Sequence, residues 1–566
     1  MKIKKTVFFL FLIIILAFFL RFYKLGSLLP LFGDEVDTSY NAFSILKTRK
    51  DITGHFLPVY LKTLIDTKSC LLAYLSAIPI IFLGLGEFSV RFIPAVCGVL
   101  IVLLVYLLVF ELSQDNLCGL LASFLVASSP WAIHFSRGVF EANLMLCLIL
   151  FGLWLTFHSF KKNIYLFFAS IVFSLSLYAY HSAKILIPLL FIGIFLIFKK
   201  EISKINLKVK LVSLGVFVLV SLPAIYFSLF SIGLERYKGV SLVNNQKLID
   251  KIIIKRQTDS SSLTGRFFHN KIETYISSFL SNYFESFSPQ FLFLSGDPNF
   301  RNSVGNVGEF FVILLPFFLG GLYIFFKKKE KYSNLLIYWL LISPLPSAIT
   351  VGGGSHAIRL IFMMPAVAIF IAFGITIFSK SILKKFGKKL FLVTNGALLI
   401  TYLLYFFSFI HQYFHHYPKE SWRYWAYGYK EAMIAVKEKE SLYSRVFINN
   451  SYEPSILWFL FWNSYSPEKI HPLVKNNNFE EDNSFAGISG FWIGKYYFYK
   501  PKDLEWKYWG IQELFKKNKN LLVLASAKDD TAGDKDLRVY PLKGVKVLKA
   551  ITNPENQPIF YILANE

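Results

Sequence analysis

Residues 6–36 read TVFFLFLIIILAFFLRFYKLGSLLPLFGDEV, an apolar run followed after a short linker by two adjacent carboxylates, Asp34 and Glu35. The run is typical of a helix that enters a membrane, and a charged pair placed inside hydrocarbon would be costly. We therefore expect the pair at the water-facing end of a first membrane helix. Two carboxylates are more than the end of a helix requires, so the sequence predicts a catalytic site at this boundary.

The composition of the whole chain points to a membrane protein. Hydrophobic residues make up 55% of the 566 residues and the mean hydropathy is +0.49, values that would cover a soluble protein with exposed apolar surface. The formal charge of +24 suits nucleic-acid binding only if it forms a basic face on a folded domain. Here many lysines and arginines lie in short clusters between apolar runs, as in cytoplasmic loops. The sequence predicts a polytopic membrane protein and no nucleic-acid partner.

Eleven apolar runs are long enough to span a bilayer. They lie near residues 7–22, 90–112, 117–133, 144–160, 165–180, 185–198, 209–227, 310–326, 335–351, 360–378 and 390–409. A twelfth candidate, residues 71–86, is short and contains Pro79 and two glycines. If it does not span, the later lysine clusters all fall on the same side as Lys2, Lys4 and Lys5, as the positive-inside rule requires. We therefore predict a multi-pass protein of the cell membrane with a cytoplasmic N-terminus and an extracytoplasmic C-terminus.

This topology divides the chain into a membrane part and a C-terminal domain. Residues 1–410 form the all-α membrane part, with extracytoplasmic loops at 24–89 and 228–308 that gather charges of both signs. Residues 411–566 have an ordinary mixed composition and predict an extracytoplasmic α/β domain. Its predicted elements are a helix over 421–438 and strands over 445–449, 496–499, 521–525, 545–550 and 559–563.

Each candidate site residue has a structural alternative. Asp34 and Glu35 could cap the next helix, or one could accept a proton while its neighbour holds an orienting contact. Arg137 and Glu141 have the spacing of a surface ion pair on a helix, but they lie just inside a predicted membrane boundary. Arg359 follows a glycine-rich segment, which fits either snorkelling to the interface or a phosphate seat.

Other polar residues carry less weight. Lys184 lies in an outer loop like Arg359, but its signal is weaker. The spacing of His411, His415 and His416 could place two imidazoles on one helical face, although an interfacial helix explains them better.

In their order along the chain, several short motifs resemble the GT-C class of membrane glycosyltransferases, and within it the glycosyltransferase family 39, or protein-mannosyltransferase-like, group. They are Gly33-Asp34-Glu35, Tyr40-Asn41-Ala42, residues 54–58, residues 89–95, Ser129-Pro130-Trp131, residues 134–137, Phe140-Glu141, residues 356–359 and Met364-Pro365-Ala366. The chain departs from many relatives at residues 66–70, where those relatives carry a Lys-Pro-Pro run.

The resemblance implies transfer of a sugar from a polyprenyl-phosphate carrier to an acceptor outside the cytoplasm, which a lipid, a polysaccharide or a protein could provide. Asp34 is implied as the general base of an inverting displacement, with Glu35 orienting it. The residues implied to line the cavity or face the donor phosphate are Arg137, Glu141, His356, Arg359, Lys68 and Lys184. The resemblance favours no cofactor and no metal, although loop carboxylates could hold Mg²⁺ or Mn²⁺.

Two other functions compete with this one. A transporter or flippase of lipid-linked saccharides would also gather charges around a cavity, but it typically shows broken helices near the bilayer midplane and inverted repeats. In this chain the ionisable residues lie mainly at the ends of apolar runs and no internal repeat is visible. A non-catalytic scaffold would tolerate substitution of the Asp-Glu pair.

Overall fold

The computed structural model describes residues 3–64, 66–230, 239–259, 262–328, 330–475, 479–531 and 535–565. Its membrane part is helical, and apolar side chains of successive helices pack into one core. The helices before residue 421 are Ile3–Phe22, Gly33–Thr48, Leu71–Leu83, Glu87–Ser113, Asn116–Ser128, Pro130–Phe135, Glu141–Ser159, Ile164–Ser176, Ala183–Ile197, Lys199–Lys204, Leu207–Phe230, Gln246–Thr258, Ser262–Phe268, Lys271–Glu285, Leu315–Lys327, Lys331–Ile342, Leu345–Ala348, Ala357–Leu360, Met364–His411 and Tyr417–Glu420. Short 3-10 or π turns occupy Leu242–Asn244, Gln290–Leu294, Val312–Leu314, Ile361–Met363 and Gln412–His416.

Among the described residues, five helical stretches are long and apolar enough to cross a membrane. They are Lys4–Phe22, Glu87–Ser113, Glu141–Ser159, Leu207–Phe230 and Ala357–Glu420. The last of these contains two of the predicted runs. Between them the helix Met364–His411 breaks at Gly387, whose φ of 80° is not helical. The predicted runs outside these five stretches form shorter apolar helices, so the prediction of eleven spans is not confirmed.

The segment 71–86, predicted not to span, forms the helix Leu71–Leu83. At about 1.5 Å per residue it measures roughly 20 Å, which is less than the hydrocarbon thickness of about 30 Å. Several other apolar helices of this chain are equally short. Its place in the topology, and with it the sidedness of the chain, stays a prediction.

Two helices of the membrane part approach each other closely through glycines. A Cβ added at Gly321 of the helix Leu315–Lys327 would lie 2.0 Å from the carbonyl oxygen of Phe370, and one added at Gly374 would lie 2.0 Å from that of Phe317. Small residues are what allow membrane helices to approach at backbone distance. This contact fixes the position of the helix Met364–His411, which follows residues 352–359.

The predicted first loop contains a helix and a short hairpin. The helix Gly33–Thr48 begins immediately after Phe32, whose backbone N–H donates to Glu35 Oε2 at 3.3 Å. Strands β1 (Tyr60–Lys62) and β2 (Thr67–Ser69) pair antiparallel. Part of the predicted loop 228–308, residues 231–238 and 260–261, lies outside the described residues.

The C-terminal part contains a seven-stranded mixed sheet of order β4-β5-β6-β3-β7-β9-β8. Strand β3 pairs parallel with β6 and with β7, and the other pairs are antiparallel. The strands are β3 Arg445–Asn449, β4 Glu480–Asp482, β5 Ile488–Ile493, β6 Tyr496–Pro501, β7 Leu521–Ser526, β8 Val545–Thr552 and β9 Pro558–Asn565. The helices are Tyr429–Lys439, Ser455–Trp462, Pro467–Lys475 and Trp506–Lys517, with a 3-10 turn at Glu440–Leu442.

All five strands predicted in this domain are present. The helix predicted over 421–438 begins only at Tyr429, because Gly428 has a φ of 93° and residues 421–427 form turns. Strands β4 and β5 were not predicted. The boundary placed between residues 410 and 411 stays a prediction, since one apolar core runs through both parts.

The C-terminal domain packs on the helix Gly33–Thr48. Tyr40 donates from its hydroxyl to the Tyr465 carbonyl at 2.6 Å, and Trp458 Nε1 donates to the Leu31 carbonyl at 3.3 Å. Lys430 forms an ion pair with Glu87 of a long membrane helix at 2.6 Å. The helix that carries Asp34 therefore lies between the membrane part and the sheet domain.

Candidate active site

A cavity of about 200 Å³ opens at the start of the helix Gly33–Thr48. Its wall combines carboxylates, cations, histidines and aromatic rings from six separate parts of the chain. The lining residues are Phe32, Asp34, Lys68, Ser69, Val139, Phe140, Glu141, Tyr180, His181, Asn299, Arg301, Asn302, His356, Ile358 and Arg359. Of the residues that the resemblance implies for a cavity, Lys68, Glu141, His356 and Arg359 thus lie in this wall together with Asp34.

Asp34 is the accessible carboxylate of this cavity, with 48% of its side chain exposed. It lies in the first turn of its helix, where the aligned backbone dipoles favour a negative charge. Lys68 Nζ is 2.9 Å from Asp34 Oδ1 and 3.1 Å from Asp37 Oδ2, and it also donates to the Asp34 carbonyl. Asp34 therefore faces the cavity while a fixed cation holds one of its oxygens.

Lys68 comes from strand β2 and only 6% of its side chain is exposed. Burial alone would lower its pKa, but the charges of Asp34, Asp37 and Glu141 outweigh this and raise the pKa of Lys68 above its usual value. Asp37 is fully buried. Burial raises the pKa of its carboxyl group, and the charge of Lys68 offsets this shift only in part. Lys68 is therefore a permanent cation at the cavity wall.

Glu35 does not line the cavity. It is fully buried, and Arg91 donates to it twice, from Nε at 2.8 Å and from Nη2 at 2.6 Å. The backbone N–H of Val139 donates to its Oε1 at 2.9 Å. Arg91 also donates to the carbonyls of Leu25, Leu29 and Pro30. Glu35 thus fixes the linker before Asp34 and the wall at Val139, and its role in orienting Asp34 stays a prediction.

Arg137 is not in the cavity either. Its guanidinium is buried and donates to the carbonyls of Leu20, Arg21, Tyr23 and Lys24. These carbonyls end the helix Ile3–Phe22 and have no partner within it, and a cation there is favoured by the helix dipole. The structure gives Arg137 this end-capping position, four residues away in sequence from Glu141, which does reach the cavity.

His356 and Arg359 reach the cavity from the segment that precedes the helix Met364–His411. His356 Nδ1 lies 3.8 Å from Asp297 Oδ2, and that same oxygen accepts hydrogen bonds from the Ala357 N–H and from Asn302. Burial and the charge of Arg359 lower the pKa of His356 to about 3, so the imidazole is neutral at physiological pH. Arg359 donates to Thr350 Oγ1 at 2.6 Å.

Lys184 lies behind the wall. Its ammonium contacts the Tyr60 hydroxyl and lies 3.3 Å from His181 Nδ1. His181 itself lines the cavity, and burial lowers its pKa to about 4. Lys184 can therefore act on a ligand only through His181 or Tyr60.

Arg301 is the cavity cation that the sequence prediction missed. Its guanidinium carbon lies 4.8 Å from the centre of the Phe32 ring, and its Nε donates to the Tyr424 carbonyl at 3.1 Å. Glu453 of the C-terminal domain lies 3.9 Å from Arg301 Nη2. The sequence places Arg301 in a turn of mixed polarity within a predicted outer loop. This position alone does not distinguish it from a surface arginine.

Within the described ranges, no three histidine, cysteine, aspartate or glutamate side chains converge in a way that could hold a metal ion. The cavity combines two carboxylates, Asp34 and Glu141, with three cations, Lys68, Arg301 and Arg359. Such a set can bind a phosphate and accept a proton from a neighbouring hydroxyl. Independence of metals and cofactors stays a prediction.

The chain thus combines a helical membrane part, a cavity lined by carboxylates and cations, and a following sheet domain. Residues 67–227, from β2 into the helix Leu207–Phe230, match the family described as dolichyl-phosphate-mannose-protein mannosyltransferase. No curated protein matches the sequence significantly.

Two solved structures of ArnT from Cupriavidus metallidurans share the fold. The apo structure has 9% identity and a TM-score of 0.54, covering 99% of this chain and 98% of that one. The structure bound to undecaprenyl phosphate gives the same identity and TM-score, with 100% of this chain and 98% of that one covered. This likeness shows a shared fold, and with the family match it agrees with the predicted resemblance to the GT-C class of glycosyltransferases.

A further solved structure is the oligosaccharyltransferase AglB from Archaeoglobus fulgidus, in complex with an inhibitory peptide and a dolichol-phosphate. It has 16% identity and a TM-score of 0.49, and the match covers 81% of this chain. This chain spans only 64% of the length of that enzyme.

Proposed function

We propose that this protein transfers a sugar from a polyprenyl-phosphate carrier to an acceptor on the extracytoplasmic side of the membrane. The observation that carries the proposal is the accessible carboxylate of Asp34 in a cavity whose other charged groups are mainly cations. The apolar helices around the cavity suit a donor that stays in the bilayer, and the similar ArnT structure holds undecaprenyl phosphate.

The donor phosphate is the leaving group in this reaction. As the glycosidic C–O bond to phosphate breaks, the departing oxygen keeps the electron pair and needs nearby positive charge. Arg359, Arg301 and Lys68 line the cavity and would supply it. Of these, Arg359 is the preferred phosphate contact, because Lys68 is already paired with Asp34 and Asp37.

Asp34 acts as the general base in this proposal. The acceptor oxygen forms a bond to the anomeric carbon while its proton passes to the Asp34 carboxylate, and attack from the face opposite the phosphate inverts the anomeric configuration. Lys68 favours the charged form of Asp34 at the start of the reaction. The acceptor remains open among lipid, polysaccharide and protein.

The test compares purified wild type with Asp34→Asn, using polyprenyl-phosphate sugars as donors and membrane extract as the source of acceptor. Asp34→Asn should lose transfer while still binding polyprenyl phosphate, and the exposed control Glu438→Gln should keep both. Arg359→Ala should raise the KM for the donor. Wild-type turnover in Asp34→Asn would refute its role as base, and an unchanged donor KM in Arg359→Ala would refute the phosphate contact.

The transporter alternative predicts a different outcome in the same preparation. A flippase would move a fluorescent lipid-linked saccharide across a proteoliposome membrane without changing the glycosidic bond. The proposed enzyme should release polyprenyl phosphate and leave the distribution of the intact donor unchanged. Movement of intact donor without bond cleavage would exclude the transferase.

A further inference from the structure

The helix Lys271–Glu285 presents an exposed row of apolar side chains. Ile272, Ile276, Leu280 and Phe284 are 72%, 54%, 44% and 65% exposed. Their four-residue spacing places them on one side of the helix, in a row about 18 Å long at 1.5 Å per residue. A row of this length indicates a surface that is covered in the native environment.

This helix is firmly attached to the protein, through Tyr275 and Asn282 on the side away from the row and through Tyr283 at the row itself. Tyr275 donates from its hydroxyl to the Val243 carbonyl at 2.8 Å, and Tyr283 donates to the Leu341 carbonyl at 2.9 Å. Asn282 donates to the carbonyls of Ala348 and Thr350. These bonds fix the rotation of the helix about its axis, so the apolar row has a defined direction.

The apolar row lies beside other exposed apolar surface. Leu341, which accepts the bond from Tyr283, belongs to the apolar helix Lys331–Ile342 and is itself 47% exposed. Next to the row, on the remaining exposed side of the helix, lie the polar residues Ser277 and Ser281, while Glu273 of the first turn falls within the row. An apolar row beside a polar one on an anchored helix is typical of helices that lie in the plane of a membrane interface.

We propose that the helix Lys271–Glu285 lies in the boundary between headgroups and acyl chains of the leaflet on the cavity side, with its apolar row among the acyl chains. The charge of the neighbouring helix Gln246–Thr258 agrees with this partner. It carries Lys247, Lys251, Lys255 and Arg256 against one acidic residue, Asp250, which suits a surface of phosphate headgroups.

This lipid contact also reaches the cavity wall. Ser286, directly after the helix, donates to the Gly354 carbonyl at 2.7 Å, and Ser355 donates to Glu285 Oε1 at 2.8 Å. His356 and Arg359 follow within five residues of these anchors. The lipid-bound helix therefore holds the segment that presents both side chains to the cavity.

The experiment places a fluorescent bimane label on the full chain in nanodiscs. Ile276→Cys reports on the apolar row, and Ser277→Cys, equally exposed and one residue further round the helix, is the matched control. The four native cysteines are buried, and labelled wild type gives the background. Lipids brominated in the acyl chain should quench the label at position 276 several-fold more strongly than the label at position 277. Aqueous iodide should show the reverse order.

A second pair, Phe284→Cys and Ser281→Cys, should repeat the pattern, which protects the result against one misfolded variant. Equal quenching by brominated lipid within both pairs would overturn the proposal. Disulfide cross-linking between copies through Ile276→Cys, without lipid quenching, would assign the row to a second copy of the chain and overturn it as well. The proposal does not depend on the transferase activity.

Discussion

Substituting Glu35 by Gln tests whether the two adjacent carboxylates have separate roles. Glu35 is fully buried and accepts two hydrogen bonds from Arg91 and one each from the N–H groups of Val139 and Phe32. Glutamine keeps the shape but removes the charge, and its amide nitrogen must face at least one of these donors. Arg91 then remains buried without a counter-ion.

Removing one partner of a buried ion pair costs about 3–5 kcal/mol, because the other charge stays desolvated. This is a factor of at least about 100 in the folding equilibrium, since 1.4 kcal/mol corresponds to a factor of ten. We expect Glu35→Gln to lower the free energy of unfolding by about 3–5 kcal/mol in SDS titrations of the detergent-solubilised protein. Asp34→Asn, whose side chain is half exposed, should change it far less.

The double substitution Glu35→Gln, Arg91→Gln separates the pair from its surroundings. The interaction energy of the double-mutant cycle measures the coupling of the two side chains. Arg91→Gln should also be destabilising by itself, because the carbonyls of Leu25, Leu29 and Pro30 lose a donor. If Glu35→Gln unfolds like wild type but loses activity as Asp34→Asn does, Glu35 acts in the reaction and our structural assignment is wrong.

Two further predictions concern packing and pH. Gly321→Ala should lower the free energy of unfolding by about 1–3 kcal/mol, since its Cβ would meet the Phe370 carbonyl at 2.0 Å. The control Gly320→Ala, whose Cβ has nothing within 4 Å, should be neutral or slightly stabilising. Equal unfolding curves for the two variants would contradict the close helix contact. His356 has a pKa of about 3 in the folded chain and about 6.5 in the unfolded chain, so on acidification the unfolded chain takes up this proton first. The stability that neutral His356 provides above about pH 6.5 is therefore lost as the pH falls toward 3. His356→Gln should therefore lose less stability than wild type between these pH values, measured as thermal midpoints, and an equal loss would place the titration elsewhere.

Several residues that the sequence singled out as candidates do line one cavity. The Asp34 carboxylate follows an apolar run and faces a cavity, and Lys68, Glu141, His356 and Arg359 reach the same cavity from three other segments. Strands β3, β6, β7, β8 and β9 were predicted because buried strands form continuous apolar runs. Short strands such as β4, which reads Glu-Glu-Asp, carry no apolar signal.

The residues it misplaced have charges that the fold uses internally. From sequence, Arg137 and Arg359 look alike, since each lies near the end of an apolar run. Only the fold shows that Arg137 faces the last carbonyls of the first helix, while Arg359 faces the cavity. Arg301 was missed because its neighbours Phe32 and Glu453 are far apart in sequence. Whether a buried cation binds protein or ligand depends on such long-range contacts.

The position of Asp34 depends on both halves of the molecule. On the membrane side, Arg91 and Glu35 fix the linker that leads into its helix, and Lys68 holds its carboxylate. On the other side, Trp458 donates to the carbonyl of Leu31, three residues earlier, and a Cβ at Gly33 would lie only 2.9 Å from Glu453 Oε2. Glycine at position 33 thus allows the C-terminal domain to approach the cavity rim. The C-terminal domain is therefore part of the structure that positions the proposed base, so its removal should disturb Asp34 even though most of the cavity wall belongs to the membrane part.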